Sequence, residues 1–211
     1  MKTLKTCAAA AGMVVLSGAA QAALVDRGGG MIYDTTRNIT WLADMNYAKT
    51  SGLDADGRMT WSAATAWANN LVYGGFDDWR LPTSLNADGT GPCGPAHNCS
   101  GSEMGHMFYN NWGASAGSNF STGTNATNLA LFSNVQSDFY WSGTEYAPNP
   151  NDAWLFSSTG GGQSHVGKDG ALYAVAVRPG DVTAPVPEPQ TLALALLALG
   201  ATVVARRRRP T

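Results

Sequence analysis

Between Trp141 and Trp154 the chain places Glu145, Tyr146, Pro148, Asn149, Pro150, Asn151 and Asp152. Aromatic rings beside carboxylate and amide oxygens are the groups a sugar site uses. The rings take the apolar face of a pyranose, and the oxygens pair with its hydroxyls. Two prolines stiffen the connection, which lowers the entropy lost on binding. Trp141, Glu145, Tyr146, Asn149, Asn151, Asp152 and Trp154 are therefore the candidate ligand-binding residues. A turn between two strands, with both tryptophans in the core, would produce the same pattern. No cofactor is expected here, with calcium, which takes several oxygen ligands, as the candidate cation.

Other constellations lead elsewhere. The sequence holds no Gly-x-Ser-x-Gly, no His-Glu-x-x-His and no phosphate-binding loop. His97, His106 and His165 are scattered, and His106 reads as a partly buried helix residue rather than a base. The expectation is a protein that is not an enzyme. Asp54-Ala55-Asp56-Gly57-Arg58 starts like a calcium loop, but Arg58 stands where an oxygen ligand is needed, so a surface turn is the better reading. Cys93 and Cys99 are the cysteines left once the first segment is removed. Outside the cytoplasm such a pair should form a disulfide. With His97 they fall short of the four ligands of a structural zinc site.

These residues must be carried by one exported domain. Lys2 and Lys5 precede an apolar run from Ala8 to Gly18, and Ala20-Gln21-Ala22 is a small-x-small cleavage site. Residues 1–22 therefore read as a signal peptide cut after Ala22. At the other end, Leu192 to Ala205 is an apolar run of 14 residues followed by Arg206 to Arg209. As a helix it spans about 21 Å, short of the roughly 30 Å hydrocarbon core, and snorkelling arginines can cover part of the gap. Residues 192–205 are expected to be a transmembrane helix, with 206–211 an Arg-rich tail inside the cell and the domain outside. Ala23 to Pro185 carries seven Lys and Arg against fourteen Asp and Glu, a balance of −7. That sign argues against nucleic acid as a partner.

Within the domain, Leu24 to Trp41 reads as short strands around the turn Gly28-Gly29-Gly30. A helix is predicted from an N-cap at Thr60, with Trp61, Ala64, Ala68 and Leu71 on one face, ended by Gly74-Gly75. A second fits Ser102 to Asn111, with Met104, Met107 and Phe108 inward. Gly113 to Thr127, with Phe120 its one large apolar residue, reads as a surface loop or mobile insertion. Strands are expected at Phe139 to Ser142, Ala153 to Ser157 and Leu172 to Arg178, the last central because both its faces are apolar.

Two resemblances follow. Val186-Pro187-Glu188-Pro189, then a short apolar run, then an arginine block, resembles the PEP-CTERM sorting signal. This implies an exosortase-type membrane protease as partner, anchoring in the inner membrane, and later release to the cell surface or a polysaccharide-rich, biofilm-type matrix. Asn38-Ile-Thr-Trp41, Asp78-Trp-Arg-Leu-Pro-Thr83, Ser102-Glu-Met104, Tyr140-Trp-Ser-Gly-Thr144 and Val177-Arg178 resemble the Lcl C-terminal domain family. Trp-Arg-Leu-Pro-Thr is also similar to a motif of the formylglycine-generating-enzyme and C-type-lectin-like superfamily. The resemblance implies a compact α+β domain, C-type-lectin-like in character, with two short helices packed on twisted antiparallel strands. Formylglycine-generating activity does not carry over, because both cysteines lie in a loop insertion. The organisation is then signal peptide 1–22, domain 23–182, linker 183–191, helix 192–205 and tail 206–211. The leading function is a non-catalytic surface or matrix protein binding extracellular carbohydrate or another matrix component. A purely structural matrix protein and an enzyme acting on exopolysaccharide are the alternatives.

Overall fold

A computed structural model describes residues 24–182. The expected signal peptide, linker, transmembrane helix and arginine tail lie outside these residues. Among the described residues no helix is long and apolar enough to cross a membrane.

The chain begins as a meander. Strands β1 (Leu24–Asp26), β2 (Met31–Asp34) and β3 (Ile39–Leu42) pair antiparallel in sequence order. Helix α1 (Tyr47–Thr50) and strand β4 (Arg58–Met59) lead to helix α2 (Trp61–Asn69). The Thr60 side chain caps α2 by accepting from the Ala63 N–H, as the sequence predicts, and Ala64, Trp67 and Ala68 form its buried face. The helix ends at Asn69, not at Gly74-Gly75. Those glycines, at φ 62° and 85°, instead turn the chain between Tyr73 and Phe76, whose N–H and C=O groups bond each other at 2.9 and 3.0 Å. The left-handed backbone that can end a helix serves here for a separate turn.

The second predicted helix is present in two parts. Ser102 accepts from the Gly105 N–H and starts α3 (Glu103–His106), which continues as a π-helical turn over Met107–Asn111. Met104, Met107 and Phe108 face the core. The widened turn places the Asn111 Nδ2 at 2.7 Å from the Asp34 carboxylate. The stretch from Gly113 to Thr127 holds a 3₁₀ turn at Phe120–Thr122 and opens α4 (Ala126–Leu129). It is tied down rather than a free insertion: Gly117 N–H donates to Gly160 O, Phe120 N–H to Ser158 O, and the Phe120 ring sits 5.7 Å from Trp112.

Strands β5 (Phe139–Glu145) and β6 (Asp152–Ser157) form a hairpin, and β7 (Gln163–Gly167) adds to its edge. β7 escapes sequence reading because its residues are mostly polar. The predicted strand Leu172 to Arg178 is divided. β8 (Leu172–Tyr173) joins the sheet β4-β8-β5-β6-β7, and β9 (Val177–Pro179) joins the sheet β1-β2-β3-β9. Ala174, Val175 and Ala176 cross between the sheets, fully buried. The apolar character of both faces therefore marks a crossing segment instead of one central strand. The β5–β8 pairing is parallel, a departure from the expected all-antiparallel arrangement. Four short α-helices, not two, accompany the sheets among the described residues.

The second sheet separates two cores. On β5, Tyr140 joins a cluster with Trp41, Met107, Phe108, Trp112 and Phe156. Its neighbour Trp141 joins Trp67, Trp79, Leu81 and Ala153 beneath α2. Successive strand residues point to opposite faces, so one strand feeds both. The result is a compact α+β domain with two sheets and few short helices.

Candidate functional site

The Trp-Arg-Leu-Pro-Thr segment is built into the scaffold. Trp79 is 2 % exposed, and its indole N–H reaches Tyr73 O at 3.3 Å. Arg80 pairs through its backbone with Val177 and donates two side-chain bonds, at 2.8 and 2.7 Å, to the Glu103 carboxylate. Glu103 also accepts from the Thr83 N–H at 2.8 Å, so one buried carboxylate fastens α3 to this segment. Asp78 accepts two bonds from Arg178 on β9, at 2.6 and 2.9 Å. Those bonds hold the Asp78 carboxyl below the usual carboxylate range. Pro82 O accepts from Gly143 N–H and Ser142 Oγ, and the Thr144 hydroxyl meets Thr83 and Ser84. These contacts fill the register shift in β5 between Trp141 and Glu145.

The β5–β6 tip is where the sequence-predicted ligand residues lie, and the structure sorts them. Trp141 is fully buried and its indole N–H donates to Met59 O at 2.7 Å, so it does not reach the tip surface. Trp154 is 4 % exposed and backs the tip from inside. Tyr146 packs edge-on to Trp154, with centroids 5.3 Å apart, and stacks flat on His165, at 3.6 Å and 6°. The Asp152 carboxylate lies 2.9 Å from His165 Nδ1 and orients that ring. Glu145 pairs with Lys168, whose ammonium also sits over the Trp61 ring at 4.5 Å and donates to Pro150 O. Asn149 and Asn151 are exposed, with Asn149 Oδ1 accepting from the Asn151 N–H. The structure thus brings together Tyr146, Asp152, Trp154, Asn149, Asn151 and Glu145, and leaves Trp141 apart.

His165 and Lys168 were not among the sequence candidates. The available signal is two glycine groups, Gly160-Gly161-Gly162 before the strand and Gly167 with Gly170 at its end. A strand there sets His165 opposite Trp154.

The remaining candidates fall into place individually. Cys93 and Cys99 are disulfide-bonded, with Cα atoms 5.9 Å apart. Asp54 accepts from the Asp56 and Gly57 N–H groups and closes a turn, and these bonds lower its carboxyl pKa. A side chain at Gly57 would collide with Asn46 Oδ1 at 1.8 Å. His106 is buried, and burial holds its imidazole below its ordinary range, so it sits neutral beside Asp34, 3.6 Å away. Among the described residues no three His, Cys, Asp or Glu side chains gather as a metal site requires. At the tip the two carboxylates are already engaged, by Lys168 and His165. An apolar groove of about 570 Å³ lies beside α2, with exposed Leu53 and Val72 in its lining.

Comparison with known families agrees with both resemblances. The Lcl C-terminal domain matches residues 30–178, and the PEP-CTERM protein-sorting motif matches residues 185–209. No curated protein matches the chain. The sorting motif implies export, sorting to the cell surface and processing by an exosortase.

Proposed function

Because the chain belongs to the Lcl C-terminal domain family and is exported under a PEP-CTERM signal, we propose that its domain is a non-catalytic module binding an extracellular carbohydrate or another matrix component at the β5–β6 tip. The observation that carries this reading is the ring platform: half-buried Tyr146 stacked on His165 and backed by Trp154, beside exposed Asn149 and Asn151. A flat ring locked by a second ring presents apolar surface with little entropy left to lose. The neighbouring amides supply donors and acceptors for hydroxyls. A C-type-lectin-like character fits a domain whose loops carry the polar groups and whose sheets hold them still. In this reading residues 192–205 anchor the precursor in the inner membrane, domain outward, and the processed protein passes to the surface or matrix.

The test is binding of the full-length chain, in a detergent without sugar headgroups, to an array of surface and matrix polysaccharides. Tyr146→Ala should weaken binding about tenfold, equal to about 1.4 kcal/mol, with the fold intact by circular dichroism. Equal binding by wild type and variant would rule the tip out. The sorting half is checked separately. Glu188→Ala with Pro189→Ala should leave unprocessed protein in the membrane of an exosortase-bearing host, and release like wild type would refute it.

A further inference from the structure

The face of β5 and β6 that α2 covers at Trp141 and Ala153 continues toward the disulfide loop, where Leu155 and Ser157 are buried and Phe139 is exposed. Phe139 pairs with Ser157 and Leu155 with Ser164 across the sheet, so all four present one face. The disulfide loop walls this end. Ala96 makes two backbone bonds with Gln163, at 3.0 and 2.8 Å, extending the sheet beyond β7. The Asn98 N–H donates to Tyr109 Oη, which donates in turn to Gly161 O at 2.7 Å. Cys99, 2 % exposed, anchors the loop through its bond to Cys93. The groove enclosed is about 350 Å³.

We propose that this groove, between the disulfide loop and the open end of the β5–β6–β7 face, is a second binding site, which takes the neutral pyranose rings of a glycan. Phe139 is 42 % exposed at its edge, an uncommon position for a phenylalanine, and offers a ring face to the C–H side of a sugar. His97 and Ser164 supply groups that both donate and accept, as hydroxyls require. No Asp, Glu, Lys or Arg lines the groove, so it offers no counter-charge to a carboxylate or sulfate. The domain's net negative balance adds a penalty for acidic sugars and none for neutral ones. The wall is pinned by a disulfide and by backbone bonds, so little ordering remains to be done on binding. The site rests on the carbohydrate reading of the domain but not on the tip residues.

The experiment is calorimetric titration of the full-length chain, in a zwitterionic detergent without sugar headgroups, with cellohexaose, maltohexaose and hexagalacturonate. At least one neutral oligomer should bind, and the uronate should bind at least tenfold more weakly. Phe139→Ala should weaken the neutral oligomer about tenfold and His97→Ala several-fold. Phe139 is partly exposed, so its variant should fold, with circular dichroism as the check. Cys93→Ser with Cys99→Ser, folded by the same measure, should also weaken binding. Binding lost in Tyr146→Ala but kept in Phe139→Ala overturns the groove and leaves the tip reading standing. The reverse supports the groove and removes the tip as the contact for that ligand. No binding of either neutral oligomer at millimolar concentration, or tighter binding of the uronate, overturns the proposal.

Discussion

The segment around Arg80 and the tip around Tyr146 are both rich in aromatic and charged residues, yet they do opposite work. At Arg80 the charges tie separate elements together: Arg80 to Glu103 on α3, and Arg178 on β9 to Asp78 a hundred positions away. The Glu103 carboxylate is 8 % exposed and satisfies three donors. At the tip the pairs are Glu145 with Lys168 and Asp152 with His165, the amides Asn149 and Asn151 are exposed, and the ring stack lies at the surface. The first arrangement joins the two sheets and α3. The second can lose a side chain without disturbing the core. Motif residues that look equally suited to chemistry therefore divide into those that hold the fold and those free to meet a ligand. Burial makes that division, not residue type: the Glu103 side chain is 8 % exposed and that of Glu145 51 %.

Perturbing each region should separate the two roles. The largest effect belongs to Glu103→Ala, which strands the Arg80 guanidinium and the Thr83 N–H and should cost about 3 kcal/mol. Tryptophan fluorescence during urea unfolding of the full-length chain measures it. A loss below about 1 kcal/mol would mean the pairing does not hold α3 in place.

Next is Cys93→Ser with Cys99→Ser. The closed loop is short, so about 2 kcal/mol is expected from chain entropy. Non-reduced peptide mass spectrometry should show the bond in exported wild-type protein.

A smaller effect is expected from Asp78→Asn. The Asp78 side chain is 42 % exposed, so solvent screening limits the pair to below about 1 kcal/mol. Its carboxyl pKa is lowered on folding from the ordinary 3.8. The contribution is therefore fully present above that value and is lost as pH falls through the lowered folded pKa. Wild type and Asp78→Asn should differ in urea midpoint at pH 7, and the carboxylate's share of that difference should shrink as pH falls below 3.8 and vanish below the lowered folded pKa. A difference that grows on acidification would contradict the assignment.

The smallest effect is at the tip. Asn149→Ala and Asn151→Ala remove exposed amides and should shift stability by no more than about 0.5 kcal/mol. Destabilisation comparable to Glu103→Ala would mean that the tip also belongs to the scaffold.

What the residue order determined by itself was local. Thr60 and Ser102 cap helices because a hydroxyl can reach an N–H three residues on, whatever surrounds it. The Gly28-Gly29-Gly30 turn, the meander it opens, and the inward set Met104, Met107 and Phe108 are legible for the same reason. The sorting motif at the C-terminal end is also legible, because it is a linear signal. Tertiary structure alone decided the rest. Leu172 to Val177 has the composition of one strand, but its two ends find different sheets, since the hydrogen-bonding partners lie in distant parts of the chain. Trp141 and Trp154 are alike in sequence context, yet the Met59 carbonyl claims one indole while the other backs the Tyr146 ring. His165 gains a role only when β7 sets it across from Trp154, with the Asp152 carboxylate within reach. Such placements depend on contacts between residues far apart in the chain, and the spacing of residues along it holds no record of them.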